Sequence, residues 1–75
     1  MNSYKTKDLY EAAFLYASGV KLTGLENDGK QMLFVFLGGE VNQLSDTYWS
    51  KSGQIVAKDY ADGIRSLKDR LFARR

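Results

Sequence analysis

The sequence predicts an α+β fold, in which a two-stranded antiparallel hairpin packs against three helices in the order α-β-β-α-α. Three observations lead to this prediction. A turn motif, Asn27-Asp28-Gly29, separates two strand-like runs. Apolar residues recur at helical spacing in three other segments. The length of 75 residues fits a single domain, residues 1–75, of a size that is only marginally stable by itself.

The first predicted element is a helix in the segment TKDLYEAAFLYASG. Thr6 is a suitable N-cap, Asp8 suits the positive first turn, and Gly19 suits the position just after the helix. Apolar side chains form two stripes on this helix, and they leave little polar surface between them. A surface helix normally has one apolar stripe and a broad polar face. We therefore expect this helix to be covered on two sides.

The second and third predicted elements are the strands of a hairpin in VKLTGLENDGKQMLFVFL. The favoured connection is a three-residue loop that ends with Gly29 at positive φ, as a bulged turn requires. A two-residue Asp28-Gly29 turn is the alternative.

The three-residue loop sets the register of the hairpin. It places Glu26 opposite Lys30, and Leu22 beside Phe34. One face of the hairpin then carries Val20, Leu22, Met32, Phe34 and Phe36. The other face carries Lys21, Thr23, Leu25, Leu33, Val35 and Leu37.

Two further helices are predicted after the Gly38-Gly39 break, in EVNQLSDTYWS and in IVAKDYADGIRSLKDRLFARR. Gly63 in the last helix either marks the close approach of a neighbouring backbone or is tolerated at a cost of about 1 kcal/mol relative to Ala. The side chains expected to be buried within one subunit are Leu22, Phe34, Phe36, Ile64 and Leu67.

The strand from Met32 to Leu37 is apolar at every position, and so it is apolar on both faces. Small domains are usually stabilised by disulfides, a metal or a partner subunit. Cys and His are absent, which excludes disulfides and most zinc, haem and iron–sulfur sites. We therefore predict a homodimer that covers the second face of the strand. The predicted interface residues are Tyr10, Phe14, Leu25, Leu33, Val35 and Leu37.

The residues indicate no catalytic or metal site. Without His and Cys, triads of the Ser-His and Cys-His kind are excluded. Carboxylates at helical spacing, such as Asp59 and Asp62, are typical of a solvated helix face, and no phosphate-binding glycine motif occurs. We therefore expect a protein that is not an enzyme and that has no cofactor.

The charge of the chain favours anionic partners only slightly, because 11 basic and 9 acidic residues leave a net charge of +2. The last helix is a candidate anion or nucleic-acid contact, although cations near a helix C-terminus also complement its dipole. Trp49 is interpreted first as a residue of the lid or core, and an aromatic anchor for a base or a partner is the alternative. The basic residues concerned are Arg65, Lys68, Arg70, Arg74 and Arg75.

The cellular location predicted for the chain is the cytoplasm. Its start, MNSYKTKDLY, lacks the apolar region of a secretory signal. No apolar run approaches the ~18 residues that a membrane span requires, so we expect no contact with a membrane. The absence of Cys suits a reducing compartment.

Four segments of the chain, YKTKDLYEAAFLYASGVKL, ENDGKQMLFVF, YW and SLKDRLF, together resemble a family of small bacterial and phage proteins known only as a domain of unknown function. The resemblance extends from Tyr4 to Phe72, and YKTKDLY and FVF are its most distinctive parts. It implies a small stand-alone protein, often encoded by a mobile element, and it supplies no activity, cofactor or site residues. The family also implies a Pro or a second acidic residue near the start of the last helix, where this chain has VAKDY.

The leading functional hypothesis is a non-enzymatic interaction module, an accessory protein of a phage or mobile element that binds a host protein. One alternative is a nucleic-acid-binding protein that uses the basic C-terminal helix. The other is a dimer that holds a small anionic ligand at its interface. Salt dependence separates the first two hypotheses, because phosphate binding weakens steeply with salt whereas an apolar protein interface does not.

Overall fold

A computed structural model of the chain describes residues 3–73. Three strands form one antiparallel sheet, in which the last strand in the sequence lies between the other two. The predicted α+β class and the three helices are therefore confirmed, and the sheet has one strand more than predicted. In chain order the elements are strand β1 (Ser3–Thr6), helix α1 (Leu9–Ala17), strands β2 (Lys21–Asn27) and β3 (Met32–Leu37), and helices α2 (Val41–Trp49) and α3 (Ala57–Ala73).

Strand β1 is the element that the sequence analysis misses. Thr6, predicted to cap α1, is instead the last residue of β1 and pairs with Phe34. Asp8 caps α1, because its Oδ1 accepts a hydrogen bond of 2.8 Å from the backbone N–H of Glu11. Four residues with no clear apolar alternation give too weak a pattern for a strand to be predicted. These residues form a strand because they pair with the central strand β3.

The loop between β2 and β3 contains four residues, 28–31, and so the prediction of a three-residue loop is wrong. Side chains shape the turn. Asn27 Oδ1 accepts a hydrogen bond of 2.7 Å from the N–H of Gly29, and Asp28 Oδ1 accepts from the last two N–H groups of the loop at 3.0 and 2.9 Å. These backbone hydrogen bonds lower the pKa of the Asp28 carboxyl. The predicted positive φ of Gly29 is confirmed at 98°.

The register of the hairpin also departs from the prediction. Leu25, assigned to the second face, pairs with Phe34 and packs against the core. The cause is a β-bulge between Leu22 and Gly24, where Thr23 is the additional residue. One extra residue in a strand moves the side chains that follow it to the opposite face of the sheet.

Helix α1 lies at the centre of the helical layer and contacts α2, α3 and β1. This position explains its two apolar stripes, because both are covered by neighbouring elements. The helix ends in a Schellman motif, in which the N–H of Gly19 donates to Tyr16 O and the N–H of Val20 donates to Leu15 O, each at 3.1 Å. Gly19 has a φ of 95°, as expected for the residue just after a helix.

Gly63 lies where α3 passes closest to α1. A Cβ atom at this position would lie 3.2 Å from the carbonyl oxygen of Ala13. Of the two interpretations left open by the sequence, close approach of a neighbouring backbone is therefore the correct one. The cost of a glycine within a helix is offset by tighter packing of the two helices.

The core lies between the sheet and the three helices. Phe34 and Phe36 of β3 are 1% and 0% exposed, and they share one cluster with residues of α1, α2 and α3. All three helices therefore pack on the same face of the sheet. The predicted burial is confirmed for Phe34, Phe36 and Leu67, whereas Leu22 and Ile64 are half-buried and pack against this cluster.

Replacement of Phe34 tests this arrangement. Phe34→Ala should lower the free energy of unfolding by roughly 3–5 kcal/mol, because it removes a ring from the core and leaves a cavity. Leu33→Ala, one residue away on the opposite face, is the control and should cost less than half as much. Urea denaturation monitored by circular dichroism at low protein concentration measures both values. An equal cost for the two variants would contradict the one-sided packing of the helices.

Candidate interaction site

The surface of the sheet opposite to the helices, which we call the outer face, has an apolar centre. Leu33, Val35 and Leu37 of β3 form its central row, are half-buried, and do not belong to the core cluster. The strands on either side contribute exposed polar residues. An apolar centre inside a polar rim is the usual anatomy of a protein–protein interface. The rim residues that flank the row are Ser3, Lys5, Lys21 and Glu26.

An ion pair crosses the outer face above β3. Lys5 of β1 lies opposite Val35, and Glu26 of β2 lies opposite Leu33 rather than opposite Lys30 as predicted. The Lys5 Nζ and Glu26 Oε2 atoms are 3.0 Å apart, and the two side chains are 46% and 48% exposed. An exposed pair of this kind contributes at most about 1 kcal/mol. The methylene groups of Lys5 and Glu26 can cover the central row of β3, since long charged side chains lay their methylene groups along apolar surface.

The three other residues assigned to the interface do not lie on the outer face. Phe14 is 5% exposed and belongs to the core, because α2 and the loop before α3 cover that side of α1. Leu25 points to the core as a result of the bulge in β2. Tyr10 is exposed, but it lies on α1 in the helical layer. The structure therefore keeps the row of β3 together and separates it from these three side chains.

The basic C-terminal helix presents a mixed surface. Asp62 Oδ1 lies 2.7 Å from Lys58 Nζ and 4.0 Å from Arg65 Nη1, so a carboxylate interrupts the positive charge. The remaining predicted contacts on α3 are exposed, namely Lys68 and Arg70. Two others lie outside the described residues, namely Arg74 and Arg75.

Aromatic side chains gather where α1, α2 and the start of α3 meet. The ring of Tyr48 lies between those of Phe14 and Trp49, with centroid distances of 5.6 and 5.1 Å. Tyr60 Oη donates a hydrogen bond of 3.3 Å to the backbone oxygen of Tyr10. Burial, with a further contribution from Tyr60, raises the pKa of Tyr48 to about 12. Trp49 is 57% exposed, and its position therefore suits an anchor better than a core residue.

A cavity of about 290 Å³ opens beside these rings. We call it the aromatic cavity. It lies between α1, the α2–α3 loop and the first turn of α3. The residues that line it are Phe14, Tyr48, Lys51, Gly53, Ile55 and Tyr60.

A buried carboxylate is the feature of this region that sequence reasoning misses. Glu11 is 2% exposed. Tyr4 Oη donates to its Oε2 and Thr6 Oγ1 donates to its Oε1, each at 2.6 Å, and Ser45 Oγ also donates to Oε2. Within residues 3–73, no lysine or arginine forms an ion pair with Glu11. The sequence carries no signal for this cluster, because a glutamate in the first turn of a helix is ordinarily solvated.

The hydrogen bonds to Glu11 decide its protonation. Burial by itself raises the pKa of the carboxyl, but the bonds from Ser45, Thr6 and Tyr4 outweigh burial, with a smaller contribution from Trp49. The pKa of Glu11 is therefore lowered below its ordinary value, and the side chain is ionised at neutral pH. Burial and the bond to Glu11 raise the pKa of Tyr4. The charged carboxylate connects β1, α1 and α2 through three hydroxyl groups.

In the part of the chain that the structure describes, no group of three or more His, Cys, Asp or Glu residues is placed to hold a metal ion. None of the helices described has both the length and the apolar character needed to cross a membrane.

Comparison with known families shows which family the chain belongs to. Residues 1–73 match the family described as a domain of unknown function (DUF5659). The chain belongs to this family. The resemblance to a domain of unknown function is thus confirmed, while a bacterial or phage origin of this DUF5659 chain stays a prediction. Neither the curated proteins nor the solved structures contain a match to it.

The buried carboxylate of this DUF5659 chain predicts a dependence of stability on pH. A group whose pKa is lower in the folded than in the unfolded state stabilises the fold above its unfolded pKa. That stabilisation is lost as pH falls from about 4.3, the ordinary pKa of glutamate, through the folded pKa. Glu11→Gln should lower the unfolding free energy at neutral pH by about 1–3 kcal/mol, because an amide cannot accept all three hydroxyl donors. Urea denaturation at neutral and acidic pH measures both effects.

Glu40→Gln is the matched control, because Glu40 is exposed and its side chain makes no capping hydrogen bond. The control should retain the acid-induced loss of stability, whereas Glu11→Gln should lose most of it. Identical pH profiles for the two variants would contradict the role assigned to Glu11.

Proposed function

We propose that this DUF5659 protein is a non-enzymatic interaction module that forms a homodimer through the outer face of its sheet. The observation that carries the proposal is the apolar row of Leu33, Val35 and Leu37 on the face opposite to the helices. An antiparallel sheet with one solvated face normally places polar residues there. Adjacent aliphatic side chains that are only half-buried instead favour a site of association.

The charges around the row favour a second copy of the chain as the occupant. A two-fold axis parallel to β3 places β1 of one copy against β2 of the other. Lys5 then approaches the partner subunit's Glu26, and the reverse contact forms at the same time. The rim is therefore self-complementary in charge, while the apolar rows pack in the centre.

The size of the outer face favours a weak dimer. Three strands about 4.8 Å apart and six residues at about 3.4 Å each give a face of roughly 300 Å². Stable interfaces bury about 800 Å² per partner. Each subunit already has a complete core around Phe34 and Phe36. We therefore expect folded monomers in equilibrium with a dimer that predominates at high micromolar concentration.

The broader role that we propose is that of a cytoplasmic accessory protein of a phage or mobile element, which acts by binding a host protein. The absence of His and Cys supports binding over catalysis. Nucleic-acid binding has less support, because Asp62 pairs with Lys58 and lies beside Arg65 on the basic helix.

Sedimentation velocity over a range of concentrations tests the dimer. The native chain should sediment increasingly as a dimer towards high micromolar concentration. Val35→Lys should remain a folded monomer, because it places a charge at the centre of the interface, whereas Phe34→Lys should abolish folding. Asn42→Lys, which adds the same charge at an exposed position of α2, should dimerise like the native chain. A native chain that stays monomeric at high micromolar concentration would overturn the proposal.

A charge exchange provides a second readout that leaves the apolar row intact. Lys5→Glu should weaken the dimer, because two carboxylates then meet across the two-fold axis. Adding Glu26→Lys should restore the dimer. A dimer affinity that neither change alters would contradict the proposed orientation of the two copies.

A further inference from the structure

The aromatic cavity has the dimensions of a site for one or two side chains. Its volume of about 290 Å³ lies near the lower limit of ligand pockets, about 300 Å³. The rings of Phe14, Tyr48 and Tyr60 and the side chain of Ile55 form its walls. Such walls favour an apolar or aromatic group, because ring–ring contacts add to the burial of apolar area.

Lys51 brings a positive charge to this apolar cavity. Among the described residues that line the cavity, Lys51 is the one that carries a charge. The two carboxylates that influence Tyr48, those of Asp8 and Glu11, do not belong to the lining. Asp8 is occupied as the cap of α1, and Glu11 accepts three hydroxyl hydrogen bonds. Lys51 is therefore the one charged residue, among those described at the cavity, that can pair with an anionic group of a ligand.

The backbone at Lys51 is strained, and this supports a role for its side chain. Lys51 has a φ of 63° and occupies the position after α2 where glycine is favoured. Its N–H donates to Tyr48 O, and the N–H of Ser52 donates to Thr47 O, each at 3.1 Å. A glycine would close the same motif without strain. Compared with glycine, the lysine adds only a side chain, at a residue that lines the cavity.

Gly53 holds the wall of the cavity in place. A Cβ atom at this position would lie 2.8 Å from Cζ of Phe14, so the loop backbone rests directly on that ring. The contact keeps the α2–α3 loop, and with it Lys51, against α1. The apolar walls and the backbone that carries Lys51 are therefore held together before any ligand arrives, which reduces the cost of binding.

We infer that the aromatic cavity binds a segment of a partner protein in which a large apolar side chain lies next to a carboxylate. The apolar side chain enters between Phe14, Tyr48 and Tyr60, and the carboxylate pairs with Lys51. Either an acidic residue or a free C-terminus supplies the carboxylate. This site lies in the helical layer, away from the outer face, and it does not depend on the proposed dimer.

N-acetyl-phenylalanine and its neutral analogue N-acetyl-phenylalaninamide are suitable probes, since they differ only in the carboxylate. Titration followed by amide NMR shifts should locate both in the α2–α3 loop and the first turn of α3. The acid should bind about fivefold more tightly than the amide, the upper end of what an exposed ion pair confers. Trp49 is the one tryptophan of the chain and lies 5.1 Å from the Tyr48 ring, so its fluorescence gives a second readout.

Lys51→Gly is the decisive variant, because glycine suits the positive φ and the fold should be retained. It should bind acid and amide equally. Lys30→Gly removes the same charge in the distant hairpin loop and should keep the preference for the acid. The Val35→Lys variant should bind the probes like the native chain, which separates this site from the dimer. Equal binding of acid and amide by the native chain, or shifts located elsewhere, would overturn the inference.

Discussion

The fold depends on a strand that is apolar on both faces in a chain whose helices cover only one. Phe34 and Phe36 face the helical layer and are fully buried there. Leu33, Val35 and Leu37 alternate with them and form the row on the outer face. Helix α1 lies at the centre of the helical layer. Helices α2 and α3 pack against α1 on the same face of the sheet. One side of the sheet thus becomes the core, and the other carries the apolar row that we propose as a surface for association.

The buried carboxylate of Glu11 fixes the four-residue strand β1 to the rest of the fold. Tyr4 and Thr6 alternate on the inner side of β1, and both donate hydrogen bonds to Glu11. Ser45 adds a third donor from α2. An isolated edge strand of this length gains little from its backbone hydrogen bonds. The side-chain bonds compensate by fixing β1 to two helices, and they satisfy a buried charge that has no cationic partner within residues 3–73.

Local patterns predict the helices, the turn glycines and the core, because each depends on neighbours in the sequence. The sequence predicts the correct face for Leu22 although this residue pairs with Phe36 rather than Phe34, since a shift of two residues leaves a side chain on the same face of the sheet. The alternation along β2 puts Leu25 on the wrong face because the bulge at Thr23 adds a residue, and Gly24, a glycine inside the strand, is the sequence signal for that bulge. Strand β1 and the hydroxyl donors of Glu11 come together only through pairing across the fold, and so no spacing rule could identify them.

The outer face is the claim on which the functional account depends, and intermolecular nuclear Overhauser effects test it most directly. A sample at high concentration would mix chains carrying ¹³C-labelled methyl groups with unlabelled chains, so that filtered spectra report only contacts between copies. The account predicts contacts among the methyl groups of Leu33, Val35 and Leu37 across the two-fold axis. Contacts confined to a single copy, or contacts between copies that involve the helical layer instead, would contradict it.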